Sequence, residues 1–433
     1  MRPVLDGSPY QGYLYAYPHK TAYRPLHPRP WLADVWAGER RDALFAYVHV
    51  PFCEMRCGFC NLFTRSRPPA EQVRAYLRQL RHEVEAVAEA LGRATFSLGA
   101  IGGGTPTYLE PSELATLFDL LSGLGARGIP LSVETSPATA TPDRLDVLMA
   151  HGTRRVSIGV QSFLDAEAHA AGRPQRRCDV DRALTALRAT RVPVLNLDLI
   201  YGIPGQTAST WSESLRTTLE WAPEEVYLYP LYVRPLTGLG RRGRPTGDGE
   251  WDRQRMALYL QGRDTLREAG YEQLSMRQFR RAGVPVPPVD YCCQDDGMVG
   301  LGCGARSYTS GLHYSFDYAV SVAGVRAVLD DYLGRPPSDF ARAEVGFALD
   351  EAERQRRWLV KTLLRAEGVT IPQWTQRFGV ELPDLAPLRA RGWLRADGDR
   401  VRLTDAGLAR SDAIGPWLVS AAVRTAMGEY ALR

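Results

Sequence analysis

Cys53, Cys57 and Cys60 stand in the run His49-Val-Pro-Phe-Cys53-Glu-Met-Arg-Cys57-Gly-Phe-Cys60-Asn-Leu-Phe63, so one short loop presents three thiols. A structural zinc site closes with four ligands and would need His49 or a distant cysteine as the fourth. A four-iron four-sulfur cluster held by three cysteines instead leaves one iron free for a reacting molecule. The CxxxCxxC spacing is not a usual zinc knuckle and favours the cluster. The preceding Phe45-Ala-Tyr-Val-His-Val50 reads as a buried strand. The cysteines therefore open the loop at its C-terminal end, where barrel enzymes place their chemistry.

Other chemistry-bearing residues fall at the ends of further apolar strands. Phe96–Ile101 runs into Gly102-Gly-Gly-Thr-Pro-Thr107, where absent side chains let the backbone approach a ligand. No Gly-Lys-Ser/Thr follows, which excludes a nucleotide P-loop. Leu131–Thr135 carries Glu134, a carboxylate suited to ribose hydroxyls. Arg155–Gly159 leads to Gln161, and Val194–Ile200 carries Asp198. Singly, each reads as a loop residue; together on one rim they describe a site.

These strands, with Val226–Tyr229, alternate with amphipathic helices such as Glu71–Leu91 and Ser112–Leu124. The alternation predicts an α/β fold, a parallel sheet curled into a partial, TIM-like (β/α)6 barrel. Residues 1–44 form an irregular arm, Tyr13-Leu-Tyr-Ala-Tyr-Pro-His-Lys-Thr-Ala-Tyr23 having neither helix nor strand period. The core is expected over 45–335. After 340 come helices around Asp350–Glu367 and Ile371–Phe378 and two short strands in Trp393–Leu403 joined at Asp397-Gly398, a winged-helix-like C-terminal domain over 340–433. Its wing is only mildly basic, so a structural or substrate-covering role is expected.

The bulk composition narrows the setting. The 433 residues are 45% hydrophobic and 24% charged, ordinary for a globular protein. The opening Met-Arg-Pro-Val-Leu-Asp-Gly is not a signal peptide and no apolar stretch approaches a membrane span, so a cytoplasmic protein without membrane contact is expected. Seven cysteines, including the adjacent Cys292 and Cys293, do not form an extracellular disulfide framework. The net charge of +4 rests almost wholly on arginine, with Lys20 and Lys361 the only lysines, and no nucleic-acid footprint is expected.

The motifs Tyr47-Val-His-Val-Pro-Phe-Cys53, Gly-Gly-Gly-Thr-Pro-Thr107, Gly-Val-Gln161-Ser-Phe and Asp198-Leu-Ile-Tyr-Gly-Ile-Pro-Gly-Gln-Thr207 together resemble the HemN-like branch of radical SAM proteins over roughly 45–310. The resemblance implies that Cys53, Cys57 and Cys60 hold a 4Fe-4S cluster whose free iron chelates S-adenosylmethionine (SAM). An electron from a donor such as flavodoxin or ferredoxin then releases a 5'-deoxyadenosyl radical. By matching position, Tyr47, Gly103, Gly104, Thr105, Glu134, Gln161, Arg173 and Asp198 contact that SAM. A second SAM molecule is implied at Gln161, Ile200 and Tyr232, and Tyr291–Tyr308 is similar to a segment that closes the site.

One departure bears on the reaction: the oxidases of the branch carry another cysteine where this chain has Leu62. The expectation is therefore a class C type methyltransferase or cyclopropanase, moving a methyl or methylene carbon from SAM to an sp2 carbon of a flat, largely apolar natural product, with a downstream pathway enzyme as a further partner. The alternatives are an oxygen-independent coproporphyrinogen III oxidase and a non-catalytic haem carrier. Tyr47 and Gln161 are the catalytic candidates, and His49 is expected to be structural. Arg234, Arg280, Arg281 and Arg306 are candidate cations for substrate carboxylates.

Overall fold

The computed structural model describes residues 5–243, 248–285 and 297–431. Six parallel strands carry the site: β1 (Leu44–Val50), β2 (Phe96–Gly103), β3 (Leu131–Thr135), β4 (Thr153–Gln161), β5 (Val194–Tyr201) and β6 (Glu225–Pro230), adjacent in that order. The helices α1 (Ala70–Leu91), α2 (Pro111–Gly123), α3 (Pro142–Ala150), α4 (Arg177–Ala189), α5 (Ala208–Glu220) and α6 (Asp248–Glu268) alternate with them. The sheet does not close: its ends are the short strands Arg24–Pro25 and Tyr271–Gln273. This is the expected (β/α)6 partial barrel.

Alternation along each strand separates a structural face from a functional one. Leu44, Ala46, Val48 and Val50 of β1 pack with Val73, Tyr76, Leu77, Leu80 and Val84 of α1 in the main core, whereas Phe45 and Tyr47 join a separate cluster with Ala16, Met298 and Tyr308. Val156, Ile158 and Val160 of β4 and Leu195, Leu197 and Leu199 of β5 enter the main core too, which directs Ser157, Gly159, Asn196 and Asp198 to the opposite face. Each buried Val, Ile or Leu side chain contributes about 1.5–3 kcal/mol, ample to hold a polar face in register.

The sheet is wider than residues 45–335. Arg24–Pro25 of the arm pairs with Val345–Ala348, past the expected core boundary. The arm also contains a short helix, Leu32–Ala37, so it is less irregular than its composition implies. The glycine-rich segment after 297 adds strand Met298–Leu301 parallel to β1, in register Gly300 to Tyr47. Cys292 and Cys293 lie outside the described residues.

The C-terminal unit runs helix Glu351–Leu363, strand Val369–Thr370, helices Ile371–Phe378 and Ala386–Ala390, then strands Leu394–Asp397 and Arg400–Leu403. That is a winged-helix order. The wing turn is Gly398-Asp399, one residue later than the sequence suggests, because Asp397 still pairs with Arg400. Trp358, Trp374, Val401 and Leu403 share its core with Leu14 and Tyr17, so the arm is built into this unit. No helix among the described residues is long and apolar enough to cross a membrane.

Candidate active site

The cysteine loop leaves β1 through a two-residue ladder, Phe52–Cys53 beside Arg65–Ser66. It docks on the loop after β4, where Gly58 lies so close to Ala171–Gly172 that a Cβ would come within 2.7 Å of the Ala171 carbonyl. Each thiol has a polar neighbour. Cys53 Sγ is 3.3 Å from Thr105 Oγ1, Arg173 Nη1 donates to Cys57 Sγ at 3.4 Å, and Cys60 Sγ is 3.8 Å from Thr64 Oγ1. Burial pushes the Cys53 and Cys57 thiols up, and each of the three cysteines acts electrostatically on Cys53 or is acted on with it.

His49 does not complete a metal site. Its Nε2 bonds the Phe63 carbonyl at 2.9 Å and its Nδ1 faces the Tyr47 hydroxyl at 3.3 Å, while burial lowers its pKa to about 4. The ring is neutral and both nitrogens are engaged, the expected structural role. Among the described residues no three His, Cys, Asp or Glu side chains gather about a single-ion site.

Beside the loop, β2 ends in the glycine run, and two of its glycines have steric reasons. A Cβ at Gly102 would meet the Glu134 carboxyl at 2.9 Å, and Gly103, at φ +113°, lies against the His49 ring. Gly103 N–H donates to Glu134 Oε2 at 3.0 Å. Glu134 sits deep in the barrel yet open to solvent, and desolvation with nearby Asp198 raises its pKa to about 7. Asp198 is pushed up to about 6 by burial, against Asn196 Nδ2 at 2.8 Å and the Arg155 charge.

Gln161 ends β4 with φ +67°, a conformation uncommon for a side chain larger than Asn or Asp. The ladder to β5 slips here, from Gly159 opposite Asp198 to Gln161 opposite Leu199. The slip turns the amide back over Gly159, where a Cβ would be 2.7 Å from Gln161 Nε2 and 3.9 Å from Arg173 Nη1. Strain held in place by a surrounding structure is a mark of functional sites. The structure thus brings Tyr47, Gly103, Gly104, Thr105, Glu134, Gln161, Arg173 and Asp198 to the rim around the cysteines. Ile200 faces inward too, packed with Ile203 and Leu231.

The Tyr232 hydroxyl donates to Asp412 of the C-terminal unit, which also pairs with Arg277. The structure corrects Arg280 and Arg281. They pair with Glu225 and Glu224 at the start of β6, the opposite end of the barrel from the cysteines. Their position on an antiparallel strand beside β6 reverses the direction that sequence order suggests. The arm brings to β6 residues no motif marked: Tyr13, with Arg277 3.8 Å from its ring and Tyr229 edge-on, and Tyr15, whose hydroxyl accepts from Arg306 Nη1 at 2.8 Å. The only trace of these in the sequence is the density of tyrosine in the arm.

Comparison with known proteins decides the family. Residues 47–218 match the radical SAM superfamily, and 349–410 match the HemN C-terminal domain. The chain is 30% identical to the haem chaperone HemW of Escherichia coli over 61% of this chain and 69% of that protein. It belongs to the HemN-like branch of the radical SAM superfamily. Within this branch it is 27% identical to the oxygen-independent coproporphyrinogen III oxidase of Bradyrhizobium diazoefficiens, over 87% of this chain and 86% of that one. The solved structure of coproporphyrinogen III oxidase (HemN) from Escherichia coli shares the fold, with a TM-score of 0.75 over 93% of this chain and 96% of that one at 23% identity.

Membership in the branch carries a 4Fe-4S cluster and SAM, and the residues fit both. The three thiols stand on one loop, with Thr105 at the Cys53 sulfur and Arg173 donating to the Cys57 sulfur, and hydrogen bonds of this kind tune iron–sulfur centres. Bound iron would offset the burial that disfavours the bare thiolates. The glycine backbone of β2 and the Glu134 carboxylate lie beside the loop, where they would suit an amino acid and a ribose.

Proposed function

We infer that this radical SAM enzyme oxidises a small organic substrate by hydrogen abstraction, with oxidative decarboxylation of a side-chain carboxylate as its favoured form. When bound, the cluster and SAM supply the 5'-deoxyadenosyl radical. The protein's work is to hold that reaction in a dry, oriented space. One observation supports the reading: Tyr13, Tyr15, Tyr227 and Tyr229 form one run of ring contacts between the arm and β6, close to Asp198 of β5 and tied through Arg277 to Asp412 of the C-terminal unit. That wall excludes water and packs an unsaturated ring system, and relatives across most of the chain include oxygen-independent coproporphyrinogen III oxidases.

Transfer of a methyl or methylene carbon from a second SAM is the second reading. Leu62, 47% exposed, stands where the oxidases carry their additional cysteine. Gln161 would then touch both SAM molecules. Tyr232 would serve only the wall, since its hydroxyl is taken by Asp412.

The test incubates anaerobically reconstituted protein with reductant, methyl-labelled SAM and coproporphyrinogen III, followed by mass spectrometry. The first reading expects 5'-deoxyadenosine and an unlabelled product that has lost carbon dioxide. Label in the product would support carbon transfer. A tight one-to-one haem complex without SAM cleavage would make the protein a carrier.

A further inference from the structure

His19 and Lys20 of the arm meet Arg234 and Arg306 in one cleft beside the cysteine loop. Lys20 Nζ lies 3.5 Å from the centre of the Tyr318 ring, and the Tyr318 hydroxyl donates to the carbonyl of Asn61, next to Cys60, at 2.9 Å. Tyr15 takes a hydrogen bond from Arg306 and lies within reach of Lys20. His19 in turn feels the charges of Lys20, Arg306 and Arg234 together. All of these side chains are deep in the fold yet partly open to solvent, so they line a cleft.

The cluster is short of carboxylates. Three other inward arginines are paired with carboxylates, Arg155 with Glu225, Arg255 with Asp252 and Arg277 with Asp412, whereas Arg173 and Arg357 bond neutral groups. Among the described residues Lys20, Arg234 and Arg306 make no ion pair with an Asp or Glu, and the groups that favour charge on Lys20 are the Tyr15 hydroxyl and Cys60. Gathering cations away from water is unfavourable, and burial pulls the Lys20 pKa down to about 8, with the Arg306 charge adding to it and Tyr15 and Cys60 offsetting only part. A carboxylate would relieve the repulsion, accept from the planar guanidinium and the ammonium, and leave its attached ring system against Tyr15 and Tyr318.

We propose that His19, Lys20, Arg234 and Arg306 form an anion cradle that fixes a carboxylate of the substrate beside Cys60, making the N-terminal arm part of the active site. The cradle meets the cysteine loop at Cys60, through Tyr318 and Asn61, whereas the residues matched to SAM stand mostly at the ends of β2–β4, and SAM dialysis tells the two carboxylates apart. The cradle rests on the radical SAM reading for its role but is tested by binding alone.

The probes are naphthalene-2-carboxylate and its neutral twin naphthalene-2-carboxamide, titrated by saturation-transfer NMR into the cluster- and SAM-loaded protein, alongside equilibrium dialysis of labelled SAM. The carboxylate is expected to bind at least roughly tenfold more tightly than the amide, the discrimination a charged hydrogen bond gives. Lys20→Met or Arg306→Gln should remove that preference, and Lys20→Arg should retain most of it, with circular dichroism confirming the fold. Equal binding of the two probes, no binding of either, or a preference untouched by Lys20→Met would overturn the cradle. Loss of a bound SAM in Lys20→Met with naphthoate binding unchanged would overturn it in favour of a SAM carboxylate. Selective naphthoate binding without SAM cleavage would count against the proposed reaction and leave the cradle standing.

Discussion

The two walls of the barrel mouth are built by different means. On the SAM side, each residue sits at or just past the end of its own strand: Cys53 after β1, Gly103 on β2, Glu134 on β3, Gln161 on β4. Backbone alternation and short turns place them there. On the facing side, Tyr232 follows β6, Arg277 precedes an antiparallel strand, and Asp412 lies in a C-terminal helix, held by side-chain bonds between segments up to 180 residues apart. Parts that bind an invariant cofactor can be local and motif-like. A wall that shapes a substrate can be assembled from scattered positions, each free to change.

The largest effect expected from this contrast is on the SAM side. Cys53→Ala, Cys57→Ala or Cys60→Ala should each abolish both iron incorporation and 5'-deoxyadenosine formation, read by metal analysis and chromatography. A variant that keeps both would detach that thiol from the centre.

The next effect belongs to the facing wall. Asp412→Ala leaves Arg277, 4% exposed at its side chain, without its counter-charge, which should cost about 3–5 kcal/mol in stability. The double variant Arg277→Met, Asp412→Leu should regain most of it, as denaturant unfolding of both proteins would show. A single variant as stable as the parent would mean that this wall is not held by the pair.

A smaller effect sharpens the role of Glu134. With its pKa raised to about 7, the carboxyl is ionised above that pH and increasingly protonated below it. An ionised carboxylate accepts from ribose hydroxyls and a protonated one does so less well. SAM affinity in equilibrium dialysis should therefore fall several-fold from pH 8 to pH 6, and Glu134→Gln should flatten the profile. A parent profile as flat as the variant's would remove Glu134 from the ribose.

What could be read from the sequence divides along the same line. Apolar strands between amphipathic helices pointed to the barrel and their ends to Glu134, Gln161 and Asp198, whereas Tyr47, within β1, and Arg173, in the loop after β4, came only with the family resemblance. Leu14 and Tyr17 show why the arm did not yield: they pack in the C-terminal core while Tyr13 and Tyr15 turn to the barrel, an alternation governed by two distant partners. Arg280 and Arg281 failed for the same reason, because strand direction beside β6 is a tertiary fact. The Gln161 backbone could not be anticipated either, since φ +67° arises from the slip between β4 and β5.

The central claim is that the three-cysteine loop holds a cluster with an iron open to SAM. Electron paramagnetic resonance of the anaerobically reconstituted, reduced protein tests it directly, with and without SAM. A reduced 4Fe-4S signal whose g-values shift when SAM is added is expected, accompanied by 5'-deoxyadenosine. A signal that SAM leaves unchanged, or anaerobically prepared protein holding stoichiometric zinc and no iron, would contradict it.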